Sequence, residues 1–329
     1  VFAWKFEVNP FKLTKPAIDA PSVALSVVGF GGVVFGAGMA SSYGWTSPVV
    51  LGALVAGIVC LALYARRQLS MEVPIIDVRI FSYQGFRVGA VCMMVNFGIT
   101  LSAMYVLPQF YQSSMLLAVA LTGVVMLPGG IVNALVSMIS GRIYDRIGAR
   151  GPAICGFGLS IVGAAALLFV TPDSSLAYVV ACHVIMMLGV PLAMSPCQTH
   201  ALSSLPRELS ADGSTALNTM QQVLGAVCTA VATSLLTAGQ ASYVAAGGTD
   251  ATLAFTQGSH WGFAFALALA VIGFACALRI KVKKRANVGT GEVAAAHAAV
   301  RAAAKTSAAT ASTSDGASPH DAAKSGARA

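Results

Sequence analysis

Charge is what this sequence has least of: Asp, Glu, Lys and Arg make up 10% of its 329 residues. A soluble domain carries about 25%, so there are too few here to cover a water-facing surface. Metal and nucleotide chemistry also lack raw material. The five histidines (183, 200, 260, 297 and 320) form no H-E-x-x-H pair, and no G-x-x-x-x-G-K-[ST] phosphate loop occurs. The seven cysteines (60, 92, 155, 182, 197, 228 and 276) lie within or at the ends of apolar runs, without CxxC or metal-ligand spacing, and read as small packing residues. These absences argue against an enzyme, a resident cofactor or metal, and a disulfide framework. Nor do Lys and Arg cluster on a soluble domain, which excludes a nucleic-acid partner. The chain opens on Val1 with no signal peptide, and its start is expected to lie within a longer protein.

What is abundant is apolar sequence: 57% of residues are hydrophobic, and the mean hydropathy is +0.77. Crossing a bilayer takes about 20 mainly apolar residues as a helix. Eight such runs occur, at 22–40, 48–64, 88–110, 116–140, 152–170, 176–196, 216–238 and 261–278, and none contains Lys, Arg, Asp or Glu. A charge at a helix centre costs ~2.5–3.5 kcal/mol on insertion scales, so that emptiness suits lipid. Barrel strands would alternate every second residue over about ten positions, which these runs do not. The fold class is therefore all-α, a polytopic membrane protein with eight transmembrane helices in the lipid bilayer.

Eight spans sort the hydrophilic segments into two sets. The N-terminal segment, loops 65–87, 141–151 and 197–215 and the C-terminal tail hold every Lys and Arg. Loops 41–47, 111–115, 171–175 and 239–260 hold none, and their formal charges are Asp173 and Asp250. Positive residues stay inside on insertion, which predicts a multi-pass plasma (inner) membrane protein with both termini of this segment cytoplasmic. The net charge of +8 is thus a topology signal. The tail, 281–329, is rich in Ala, Ser, Thr and Gly and is expected to be disordered.

The segment Gly141-Arg-Ile-Tyr-Asp-Arg-Ile-Gly-Ala-Arg-Gly-Pro152 resembles the G-x-x-x-D-R-x-G-x-R signature of the major facilitator superfamily. Thr122-Gly-Val-Val-Met-Leu-Pro-Gly-Gly130 is similar to the glycine-rich helix of that family's fourteen-span drug–proton antiporters. Asp19 through Gly32 resembles the start of their first extra helix, Pro74 through Phe81 their amphipathic linker, and Ala216 through Thr229 the fifth helix of their C-terminal bundle. The resemblance covers residues 10 to 285. It implies a cytoplasmic loop at 1–21, two extra linker helices at 22–64, a cytoplasmic amphipathic linker at 65–87 and the C-terminal six-helix bundle of a major facilitator fold at 88–280.

The candidate site residues follow. The resemblance places the third and sixth spans along a central cavity. Span six carries His183, Met187 and Met194 along one face, with Pro191 between, and methionine offers an adaptable surface to varied apolar ligands. Span three offers Tyr105 and Gln109 on one face and Asn96 on another, and span four adds Asn133. Interhelical packing is the competing reading for each, and is favoured for Asn96 and Asn133. The signature residues Gly141, Arg142, Asp145, Arg146, Gly148 and Arg150 are expected to form a conformational latch. Gly141 would ease a helix end, and Asp145 would meet the neighbouring guanidiniums. Gly29, Gly32 and Gly36 in span one, and Asn218, Gln222 and Gly225 in span seven, read as helix-packing faces.

The resemblance implies a secondary active transporter, exporting drugs or amphiphilic small molecules against protons by alternating access. No carboxylate lies in the eight spans, so the coupling acid of an antiporter is expected in an N-terminal half of the same protein, which is its partner, or at a span boundary drawn in the wrong place. The alternatives are a dedicated metabolite exporter or importer of the same fold, or a non-transporting membrane remnant or sensor.

Overall fold

The computed structural model describes residues 19–71 and 74–280, and among these there are α-helices and short 3-10 turns but no strand. Eight α-helices follow one another: α1 (Ala20–Tyr43), α2 (Pro48–Ser70), α3 (Gln84–Ser113), α4 (Val119–Ile147), α5 (Arg150–Leu167), α6 (Leu176–Ser203), α7 (Ser210–Ala245) and α8 (Ala251–Leu278). All eight are long and apolar enough to cross a membrane. In lipid each backbone N–H and C=O must be satisfied within its own segment, and a helix does that. The N-terminal loop to residue 18, linker residues 72 and 73, and the tail from residue 281 lie outside the described residues.

The helices overrun the apolar runs at their ends, and local chemistry explains how. α8 starts ten residues before its apolar run, because Asp250 caps it, accepting from Thr252 N at 2.7 Å and Leu253 N at 3.2 Å. Thr256 and Ser259 then donate back to the carbonyls of Thr252 and Phe255, so their hydroxyls are spent inside the helix. α4 likewise runs past Ser140 through the signature. Gly141 does not end a helix as expected; it lies within α4, and a Cβ there would meet nothing within 4 Å. The turn belongs to Gly148, the C-cap, at φ +79°, a conformation that favours glycine.

α3 is the centre of the bundle, packed against α6, α7 and α8, while α5 sits between α6 and α8. α1 and α2 form a hairpin that docks through α1 onto α7. Gly29, Gly32 and Gly36 line the inside of this hairpin. A Cβ on Gly32 would lie 3.0 Å from Ala53 O and from Gly57 Cα, so the two backbones touch there. At the end of the bundle that carries the arginines, Arg67 grips Asp19 through two bonds of 2.7 and 2.9 Å. Buried Gln68 donates to Ser22 at 2.9 Å and accepts from Ile75 N at 2.7 Å. This network ties the hairpin to the linker. There a 3-10 turn, Val78–Ser82, buries Ile80 and leads into α3. At the opposite end, Trp45 Nε1 donates to Ser234 Oγ at 2.9 Å and pins the hairpin to α7.

Candidate functional site

Three prolines interrupt α3, α4 and α6 at Pro108, Pro128 and Pro191, and α6 carries a fourth at Pro196. Each proline lacks an N–H, so the carbonyl four residues earlier loses its helical partner. For Pro191 that carbonyl belongs to Met187, and Asn133 Nδ2 of α4 reaches it at 3.4 Å. One turn further along α6 and two turns further along α4, Ser140 Oγ donates to Pro191 O at 2.9 Å. One turn the other way, the His183 ring lies over Gly129, where an added Cβ would collide with the imidazole. The glycine-rich stretch of α4 is thus the seat for His183, and α4 and α6 run parallel with their polar residues in register.

This seam brings Asn133, His183 and Met187 together, with His183 and Met187 buried. His183 Nδ1 has no hydrogen-bond partner among the described residues. Met194 is half-buried and packs against the core. The candidates on α3 form a separate group. Asn96 is fully buried, and neither polar atom of its carboxamide has a partner among the described residues. Tyr105 and Gln109 are half-buried two or more turns away towards the end that lacks arginine. Unpaired polar groups are costly in hydrocarbon, and Asn96 and His183 share that state with the hydroxyls of Ser102, Tyr111 and Ser114.

Close contacts between helices surround these groups. Cys92 on α3 and Cys197 on α6 are both buried. Beside them, a Cβ on Gly89 would stand 2.8 Å from Cys197 O, so α3 and α6 meet backbone to backbone. Gly156, Gly163 and Gly189 lock α5 to α6 in the same way. On α7, Gly225 packs against Phe97 and Leu101 of α3, while Asn218 and Gln222 are exposed.

The signature segment lies open at the arginine-bearing end. Arg142, Asp145, Arg146 and Arg150 are all exposed. The expected pairing is not made: among the described residues the ion pairs are Arg67–Asp19 and Arg79–Asp77, and none reaches Asp145. Arg142, Asp145 and Arg146 stand on the exposed last turns of α4 and Arg150 follows the Gly148 turn. α4 above it is also bare, with Val124 58%, Ile131 57%, Leu135 55% and Met138 76% exposed.

Apolar sides and charges confined to helix ends define a polytopic helical membrane protein. Residues 22–229 match the model of the Major Facilitator Superfamily, and the chain belongs to that family. Among its relatives is the lincomycin resistance protein LmrB of Listeria monocytogenes, 40% identical over 244 residues, which are 74% of this chain and 52% of the relative. The protein of the same name from Bacillus subtilis is 38% identical over 246 residues, 74% of this chain and 51% of the relative. The multidrug resistance protein Stp of Mycobacterium tuberculosis is 25% identical over 220 residues, 67% of this chain and 41% of the relative. The chain thus spans about half the length of the curated relatives it matches.

Proposed function

We propose that the chain is part of a proton-coupled exporter of drugs or amphiphilic small molecules that works by alternating access. The observation carrying this reading is the 40% identity to a lincomycin resistance protein across three quarters of the chain. The bare face of α4 and the open signature support it. In this reading α4 is the surface against which a second helical half rocks. Asp145, with Arg142, Arg146 and Arg150, latches that half in one state and releases it in the other, using charge-assisted bonds that a closed interface would strengthen. Gly148 turns the chain so that Arg150 stands beside the latch.

His183, Met187 and Asn133, with Asn96, Tyr105 and Gln109 on α3 and Met194 lower on α6, are the groups a substrate would meet between the halves. The arginine-bearing end faces the cytoplasm. The described spans hold no carboxylate near mid-membrane, so the proton-carrying acid is assigned to the second half, where a buried acid would exchange its proton.

The test is to express the full-length gene in an efflux-deficient host and measure accumulation of lincomycin and cationic dyes. Accumulation should fall, and the fall should vanish when the proton gradient is dissipated. Asp145→Asn should return accumulation towards that of the empty host at an unchanged level of protein in the membrane. Equal accumulation with and without the gene would overturn the export reading.

A further inference from the structure

A cavity of about 400 Å³ lies between α1, α3 and α7, away from the α4–α6 seam. Its floor is α7 at Gly225, so close to α3 that an added Cβ would lie 2.6 Å from Leu101 Cδ1. Leu101 forms one wall, and Gly38 and Ser41 of α1 form the other. At Gly38 an added Cβ would meet nothing within 4 Å, so α1 stands back from the floor and leaves the space. Trp45 holds the hairpin turn to Ser234, the residue after Thr233 in the cavity lining. The hairpin is therefore fixed on α7 beside the opening.

The lining holds no charged residue. Its hydroxyls already donate within their own helices: Thr229 to Gly225 O at 2.9 Å and Thr233 to Thr229 O at 2.8 Å. They remain acceptors only. Gln222 differs, because its carboxamide is exposed and has no partner among the described residues. An amide offers both donors and an acceptor, and at membrane depth it gains most from a ligand that answers both. A charged ligand would enter without a counter-ion and lose its solvation.

We propose that this cavity binds an uncharged amphiphile through its amide or carbonyl group, paired with Gln222, with the apolar body against Leu101. The extra hairpin thereby builds a binding site rather than only filling space. The inference goes beyond the export reading and does not depend on it.

The full-length protein in lipid vesicles should be photolabelled with tritiated 4-benzoylbenzamide, an uncharged amide, and the adducts mapped by mass spectrometry. Saturable adducts are expected on 38–41 and 222–233, reduced about tenfold by Gln222→Leu and by the cavity-filling Ala226→Trp. Competition by excess benzamide would assign the site to solutes, and competition by monoolein to a neutral lipid; either supports it. Non-saturable labelling spread over the lipid face of α2, or labelling that Ala226→Trp leaves unchanged, would overturn it. Labelling reads binding without transport. Intact labelling with absent dye efflux would sink the export reading alone, and the reverse would sink this one alone.

Discussion

Asn133 owes its place to a proline on another helix. Met187 O is freed by Pro191, and the Asn133 amide stands in for the missing N–H. Hydrogen bonds between membrane helices contribute about 0.6–2 kcal/mol, and an orphaned carbonyl costs as much again. Asn133→Leu should therefore lower thermal stability in detergent by that order. In a Pro191→Ala background the restored N–H would serve Met187, and the same substitution should cost much less. Equal losses in both backgrounds would separate Asn133 from Pro191. The sequence pointed to Asn133 and to Pro191 separately. Their pairing was not legible, because it depends on the relative height of two helices 54 residues apart.

At the scale of elements, the bundle is held by backbone contact at glycines. On Gly156 an added Cβ would lie 2.6 Å from Gly189 O and 2.7 Å from Ala193 N. These are backbone atoms that cannot swing aside. Gly156→Leu should split α5 from α6 at a cost of at least about 1–3 kcal/mol, the usual range for overpacking. Gly52→Leu on α2, where an added Cβ would meet nothing within 4 Å, should be close to neutral. Thermal unfolding of the two variants in detergent tests this, and similar losses would contradict it. Glycines are frequent throughout the apolar runs, so composition alone does not separate Gly156 from Gly52; only the neighbour across the interface does.

For the whole molecule, the question is what keeps the hairpin on the bundle. Asp19, Ser22, Arg67 and Gln68 join its open end to the linker, and Trp45 joins its turn to α7. The Arg67 guanidinium and the Ser22 hydroxyl hold the Asp19 carboxyl down to about 2 from its usual 3.8. A carboxyl lowered on folding stabilises fully above its unfolded value, and that contribution fades as pH falls through the folded value. The hairpin anchor should thus be complete above about pH 4 and weaken from there towards pH 2. Thermal midpoints measured from pH 6 to pH 3 should fall more for the wild type than for Asp19→Asn. Parallel curves would remove the carboxylate from the anchor.

The amino-acid sequence by itself determined the number of helices, their class and the partition of their charges, because a bilayer penalises each buried charge and each unpaired peptide group locally, run by run. It also carried the family, through a signature and a glycine-rich stretch that are contiguous in the chain. Helix ends such as 251–260 escaped it, since hydroxyls that bond back to their own helix look polar in sequence yet behave as apolar in place. The seat of His183 on Gly129, the close approach of α3 and α6 at Gly89 and the cavity beside the hairpin were decided only by tertiary structure. Each depends on which faces of distant helices meet and at what height, and that is set by close packing over the whole bundle rather than by any one segment.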